Sequence, residues 1–125
     1  MNARSIGEVA RHLDLDADTL RFFERQGVVP RPGRDAGGRR VYSEQDVHLL
    51  EVLLHLRDTG MPLSQIAQFT EHVSHDPERV QERLDLLLEH RDQVLAEQRR
   101  TAASLAVIDQ KIADYSARLV NKFDS

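Results

Sequence analysis

The chain has 125 residues, of which 40% are apolar and 30% charged, and its formal net charge is −4 at pH 7. This composition is typical of one folded domain, or of a small domain with an extended element, and it favours helix. The absence of cysteine excludes disulfides, thiolate metal sites and thiol redox sensing. No apolar run approaches the ~20 residues that span a bilayer, and the amphipathic start does not resemble a secretion signal, so we expect a cytoplasmic protein without a membrane partner.

Two short helices are predicted at the start of the chain. Ser5 followed by Glu8 is a capping box, and it opens a helix over IGEVARHL. Asp16 is an N-cap for a second helix, ADTLRFFERQ, in which Leu20 and Phe23 share the inward side. Two short helices joined by a tight turn form a helix-turn-helix, whose second helix can enter the major groove of DNA.

The next segment, VVPRPGRDAGGRRVYS, is β-prone at both ends and glycine-rich in the middle. It predicts a two-stranded hairpin, Val28-Val29 against Val41-Tyr42, and a hairpin after a helix-turn-helix is a wing. Between Thr19 and Tyr42 there are six arginines and only two acids. This local positive charge on an acidic chain predicts a surface that binds a polyanion.

A longer helix pair follows. Ser43 and Asp46 form a second capping signal, which opens DVHLLEVLLHLRDTG and ends at Gly60. Pro62 then leads into LSQIAQFTEHV. The order SIGEVA, TLRFFERQGVVP, GGRRVYSEQD and LRDTGMPLSQI resembles, over residues 5–73, the DNA-binding domain of MerR-family transcription regulators. The resemblance implies a mainly α fold, in which a winged helix-turn-helix precedes a long helix that pairs two subunits antiparallel.

The resemblance also implies which residues contact DNA. It assigns Thr19, Arg21 and Phe22 to the second helix. It places Arg39, Arg40 and Tyr42 in the wing, and it gives Arg57 a supporting phosphate contact. Thr19 could instead cap or pack, and Phe22 could instead belong to the core. The family usually has two tyrosines at Phe22 and Phe23 and an aromatic residue at Arg39. We hypothesise that Arg39 replaces part of the lost hydroxyl contacts with a more salt-sensitive one.

The C-terminal part predicts one long helix. Asp76-Pro77-Glu78 is a helix start, and neither glycine nor proline follows before Leu119. Steps of four and three residues trace a coiled-coil stripe interrupted by Arg91, Gln98 and Thr101. A helix of about 40 residues spans roughly 60 Å, so its stripe needs a partner, most simply a second copy. The predicted dimerisation residues are Val80, Leu84, Leu87, Val94, Leu105, Ile108, Ile112, Tyr115 and Leu119.

These patterns predict three parts: residues 1–75 for DNA binding, residues 76–120 for dimerisation, and residues 121–125 as a short tail. LLLEHRDQV and IDQKIADY further resemble the aldehyde- and thiol-stress subgroup of the family, whose thiol sensors carry a cysteine that aligns with His55. Sensing by cysteine alkylation is therefore excluded. The histidine pairs His48/His55 and His72/His75 lack accompanying ligands, so we expect no metal and no cofactor. A small-molecule effector at the dimer interface, a partner protein, or no effector all remain open.

Together these predictions describe a homodimeric, sequence-specific DNA-binding regulator of transcription. The resemblance implies that it binds within a promoter spacer and distorts it, so that it acts on RNA polymerase indirectly through the DNA. An enzyme is not expected, because no acid, base or nucleophile constellation is present. Two alternatives explain half of the chain each: a monomeric, excisionase-like architectural DNA-binding protein, or a coiled-coil adaptor without DNA binding.

Overall fold

The computed structural model describes residues 4–124, which are mainly helical. Residues 1–3 of the predicted DNA-binding part and Ser125 of the predicted tail lie outside the described residues. Five helices and three short strands follow one another in the described chain. They are β1 (Arg4–Ser5), α1 (Ile6–His12), α2 (Ala17–Arg25), β2 (Gly33–Arg34), β3 (Arg40–Tyr42), α3 (Glu44–Asp58), α4 (Leu63–Ser74) and α5 (Val80–Asp124).

The two capping boxes read from the sequence are confirmed, whereas the Asp16 side chain makes no capping hydrogen bond at the start of α2. At α1, the Ser5 hydroxyl accepts from the Glu8 amide, and the Glu8 carboxylate accepts from the Ser5 amide, both at 3.3 Å. At α3, Ser43 and Asp46 form the same reciprocal pair, at 3.1 and 2.9 Å. Both boxes satisfy backbone donors that the first turn of a helix leaves without partners.

The predicted strand at Val28-Val29 is wrong. The hairpin pairs β2 with β3, with Gly33 opposite Val41, while Val28 and Val29 are only 4% and 5% exposed in the core. Both valine amides donate to the Phe23 carbonyl at the end of α2, at 2.9 and 3.4 Å. These valines therefore finish the helix and fill the core, and their β propensity yields to burial.

The sheet has a third strand that the sequence did not suggest. β1 pairs antiparallel with β3, with Arg4 opposite Tyr42 and Ser5 opposite Val41, giving the strand order β1-β3-β2. A two-residue polar strand carries no alternating pattern, so no periodicity could reveal it. This pairing fixes Arg4 and Ser5 to the wing.

One apolar core joins the helices and the wing. α1 packs against α2 and β3, and α3 packs against α4 and β3. Residues from every helix up to α4 are buried, and Leu86 and Leu87 pack against the same core from the beginning of α5. The most deeply buried large side chains are Leu20, Leu53, Ile66 and Val9.

The long helix begins later and ends later than predicted. Residues 76–79 form turns, and α5 runs from Val80 to Asp124. The predicted N-cap, Asp76, bonds instead to the Arg83 side chain, so its carboxylate serves an ion pair. The chain divides into two compact units, one up to Leu87 and one from Leu88 onward, the latter consisting of the rest of α5. Within residues 4–124 no helix is both long and apolar enough to cross a bilayer.

Candidate nucleic-acid interface

α2 presents two different surfaces. Its inward side carries Leu20 and Phe23, which are 1% and 6% exposed, as the sequence predicted. Phe22 points outward and is 42% exposed, so it is not a core residue. Thr19, one turn into the helix, is half-buried. We call α2 the recognition helix, because it is the second helix of the helix-turn-helix.

The arginine on the recognition helix is paired with an acid. Arg21 Nη1 lies 2.7 Å from Asp18 Oδ1, one turn earlier on the same helix. Asp18 is 93% exposed and Arg21 is 38% exposed, measured on their side chains. An ion pair this open to solvent is weak, and DNA could displace the carboxylate.

The loop of the wing is organised by one aspartate. We call β2, β3 and the loop from Asp35 to Arg39 the wing. Asp35 Oδ1 accepts from the amides of Gly37 and Arg39, both at 2.9 Å, and Arg34 donates to the Gly38 carbonyl at 2.7 Å. Gly38 has φ = 80°, a backbone conformation that glycine adopts without strain. The loop is thus closed by side chain-to-backbone bonds that fix the backbone of Arg39.

The electrostatics of the loop follow from these bonds. The hydrogen bond from the Arg39 amide lowers the pKa of Asp35 below 3.8, assisted by the Gly37 amide and the Arg39 charge and opposed by desolvation. Asp35 is therefore ionised at neutral pH. The Arg39 side chain is 85% exposed, with Nε 3.8 Å from Asp35, so its guanidinium is available to a phosphate.

The neighbouring arginine is placed quite differently. Arg40 Nε donates to Glu24 Oε2 at 2.8 Å, joining β3 to the recognition helix. The side chains are 23% and 11% exposed, respectively. The sequence predicted Arg40 as a DNA contact, but its guanidinium is directed toward an acid inside the molecule.

Tyr42 also lies inside. It is 3% exposed within the core, so its side chain offers almost no surface to DNA. Burial raises the pKa of Tyr42 above 10.0, with a smaller contribution from the Glu24 charge, and Arg40 and Arg21 oppose the shift. Four side chains therefore lie close to one another where the wing meets the recognition helix: Tyr42, Glu24, Arg40 and Arg21.

Arg57, near the end of α3, contacts the inward side of the recognition helix at Phe23. Its guanidinium lies 5.7 Å from the centroid of the Phe23 ring and donates to Asp58 from Nε and Nη2, at 3.2 and 3.0 Å. A cation over an aromatic face is attracted by the ring quadrupole. Arg57 thus supports the buried side of the recognition helix.

The structure leaves Arg21, Phe22 and Arg39 exposed and engages Arg40 and Tyr42 internally. Arg57, whose side chain is 36% exposed, is engaged by Asp58 and the Phe23 ring. The residues missed by sequence reasoning are the acids Asp18, Glu24 and Asp35. Asp35 before two glycines is a turn signal that could have been read. The Glu24–Arg40 pair spans 16 residues, and no local spacing rule connects residues so far apart.

A second candidate surface lies on α5. Most of the predicted dimerisation stripe is strongly exposed, although its residues are large and apolar. The exposed fractions are Val80 48%, Leu84 46%, Leu105 53%, Ile108 54%, Ile112 57%, Tyr115 53% and Leu119 61%. Val94 is half-buried. Leu87 packs against the core of its own chain. Exposed apolar residues repeated along one helix indicate an interaction surface.

A helix-turn-helix followed by a β-hairpin wing, with arginines exposed on both, defines a winged helix-turn-helix protein of the DNA-binding class. Residues 4–73 match the sequence profile of the MerR HTH family regulatory proteins. The chain belongs to the MerR family of transcriptional regulators, and the resemblance drawn from its sequence motifs is confirmed.

Known relatives span different shares of the chain. An HTH-type transcriptional regulator of Haemophilus influenzae is 31% identical over 108 residues, 86% of this chain and 80% of that protein. The HTH-type transcriptional regulator slr0701 of Synechocystis is 46% identical over 63 residues; the match spans 50% of this chain and only 46% of that protein. A crystal structure of HiNmlR, described as a MerR family regulator lacking the sensor domain, bound to promoter DNA, superposes with a TM-score of 0.85. It is 29% identical and covers 92% of this chain and 91% of that one.

Proposed function

We propose that the protein binds promoter DNA as a homodimer and regulates transcription from that promoter. The observation that carries this proposal is the exposure of Arg21 and Arg39 on adjacent elements of a winged helix-turn-helix, with the wing loop fixed by Asp35. The superposition on HiNmlR, whose structure contains promoter DNA, supports it. Promoter DNA implies that the protein acts in the cytoplasm.

The proposed division of labour follows from the exposed groups. Arg21 has a planar guanidinium on the recognition helix, and such a group can read the O6 and N7 atoms of guanine in the major groove. Phe22, exposed beside it, can contact sugar or a thymine methyl group. Arg39 on the wing would contact phosphate, which supplies affinity and register but no sequence information. Thr19, near the start of the helix, would make an additional contact to a phosphate or a base.

The proposed dimer uses the stripe on α5. Two copies paired antiparallel along Val80–Leu119 would bury side chains that are now about half exposed. Two recognition helices would then enter successive major grooves, about 34–36 Å apart along the duplex. The resemblance to the MerR family further supports distortion of the promoter spacer, which would align the promoter elements for RNA polymerase. Bending the promoter DNA would cost a few kcal/mol, which the phosphate contacts would offset.

Footprinting combined with sedimentation equilibrium tests the proposal. An operator selected from a random-sequence library should be pseudo-palindromic, and the protein should protect both half-sites as a dimer. Protection of one asymmetric site by a monomer would identify an excisionase-like architectural protein instead. Failure to select any sequence would leave the coiled-coil adaptor.

A further inference from the structure

We propose that Glu24 and Arg40 form a clamp that sets the position of the wing relative to the recognition helix. Arg40 would thereby promote DNA binding through Glu24 and make no phosphate contact of its own. This inference rests on the proposed DNA-binding function and adds a positioning pair to it.

The geometry separates Arg40 from its neighbour Arg39. Arg40 Nε and Glu24 Oε2 are 2.8 Å apart, and the pair joins β3 to the recognition helix, two elements far apart in sequence. The Arg39 side chain is 85% exposed, whereas that of Arg40 is 23% exposed. Arg39 belongs to the loop that precedes β3, whereas Arg40 is the first residue of β3. Of the two guanidiniums, only that of Arg39 is presented outward.

Burial explains why the clamp would persist in the DNA complex. The Glu24 side chain is only 11% exposed. If Arg40 turned away toward a phosphate, a desolvated carboxylate would lose its partner, and removing one partner of a buried pair is strongly unfavourable. A phosphate contact, in contrast, can be made by the exposed Arg39 without such a cost.

The surroundings of the pair support a junction role. Tyr42, two residues after Arg40 on β3, belongs to the core and is 3% exposed. Burial raises the pKa of Tyr42, the Glu24 and Asp46 charges raise it further, and the Arg40 and Arg21 charges oppose the shift. These charges lie near one buried ring at the junction of the recognition helix, the wing and α3. A displacement at this junction would change the distance between the groups that reach the groove and the groups that reach the backbone.

The clamp and simple electrostatics predict opposite changes in DNA affinity when the charge of Glu24 is removed. Removing an acid close to a DNA-binding surface ordinarily strengthens binding, because less negative charge opposes the phosphates. If Glu24 positions the wing through Arg40, Glu24→Gln weakens binding instead.

The experiment measures operator affinity across a salt series for wild type, Glu24→Gln, Arg40→Gln, the double variant and Arg39→Gln. Stoichiometric titration fixes the DNA-active fraction, so misfolded protein does not count as weak binding. Each single clamp variant should bind on the order of tenfold more weakly, and the double variant no more weakly than either. Arg40→Gln should keep the wild-type salt slope, whereas Arg39→Gln should reduce it by about 0.9 per half-site.

Hydroxyl-radical footprinting separates positioning from general destabilisation. Arg40→Gln should lose hydroxyl-radical protection of the deoxyriboses beside the wing. In a parallel dimethyl sulfate footprint it should keep protection of guanine N7 in the major groove. Equal loss at all positions, tighter binding by Glu24→Gln, a reduced salt slope for Arg40→Gln, or additive losses in the double variant would each overturn the clamp. Failure of the proposed function looks different: wild type itself would show no salt-dependent binding, and both proposals would fall together.

Discussion

At the scale of single residues, the acids decide which arginines are available to DNA. Arg39 is exposed, Arg21 is held by a solvent-exposed aspartate, and Arg40 is held by a largely buried glutamate. An exposed ion pair contributes about 0–1 kcal/mol, so a stronger ligand can replace the Asp18 contact of Arg21. The same replacement at Arg40 would leave Glu24 desolvated. Three arginines of identical chemistry therefore have three different surroundings.

Arg21 and Arg39 should respond differently to alanine substitution. Arg21→Ala should cost about 1–3 kcal/mol on the preferred operator and little on a mismatched one, because a base contact discriminates. Arg39→Ala should weaken all sequences similarly and lower the salt slope by about 0.9 per half-site. Titrations on a mismatch series at several salt concentrations measure both effects. Equal losses for both variants across the series would contradict the assignment, and an unchanged slope for Arg39→Ala would contradict its phosphate contact.

Thr70 should be important for stability although no DNA contact is proposed for it. Its buried hydroxyl lies against the carbonyls of Val28 and Ile66, the latter at 3.0 Å. Thr70→Val should lower the free energy of unfolding by about 1–3 kcal/mol, because the buried Val28 carbonyl loses a donor. Urea denaturation measures the change. Ser64→Ala, at an exposed position on α4, is the control and should change it by less than about 0.5 kcal/mol.

At the scale of elements, the wing is too small to be held by its ladder alone. Its strands contain two and three residues, fewer than a stable isolated hairpin needs. β1 on one edge, Tyr42 in the core and the Asp35 bonds in the loop supply the remaining order. Two backbone hydrogen bonds, from the Asp35 amide to the Arg39 carbonyl and from the Gly38 amide to the Asp35 carbonyl, also close the loop. The charge of one exposed carboxylate adds to them.

The wing loop should lose order only in acid. The pKa of Asp35 is lower in the folded protein than its ordinary 3.8, so ionised Asp35 favours the folded loop above that value. The contribution is constant at neutral pH and disappears as the pH falls below 3.8 through the lowered pKa. Amide hydrogen exchange at Gly37 and Arg39, corrected for the intrinsic pH dependence, should report this loss. Asp35→Asn removes the titration; the same acid transition in that variant would contradict the role of Asp35.

At the scale of the whole molecule, α5 carries apolar side chains that its own chain leaves exposed. Along the stripe, Leu105, Ile108 and Ile112 are all more than half exposed. Burial of such side chains contributes roughly 25 cal/mol per Å² of apolar surface. A second copy would supply that burial, and pairing would also bring a second recognition helix to the same duplex. Dimerisation and DNA affinity should therefore be lost together.

Ile108→Glu should separate the dimer. Two carboxylates placed within an apolar interface should raise the dimer dissociation constant on the order of 100-fold, with a parallel loss of operator affinity. Val107→Glu is the matched control, because Val107 is 70% exposed and lies off the stripe. Sedimentation equilibrium and gel shift on both variants make the comparison. An Ile108→Glu monomer that binds its operator at full strength, or equal dissociation by Val107→Glu, would contradict the proposed interface.

Features that depend on nearby residues could be predicted before the fold was known. Both capping boxes, the inward side of the recognition helix and the stripe on α5 follow from spacings of three or four residues, which place side chains on one side of a helix. The family followed from the order of several such motifs over 5–73. The sequence also located the arginine-rich segment between Thr19 and Tyr42, because charge density is a local property.

Features that depend on how the elements pack together emerged only with the fold. It placed Val28 and Val29 in the core, because their amides complete the end of α2 and burial outweighs β propensity. It added β1 to the wing, it engaged the predicted N-cap Asp76 in an ion pair with Arg83, and it started α5 at Val80. It also divided the adjacent Arg39 and Arg40 into one exposed and one engaged guanidinium. Pairing across a fold depends on which backbones packing brings together, and no local pattern contains that information.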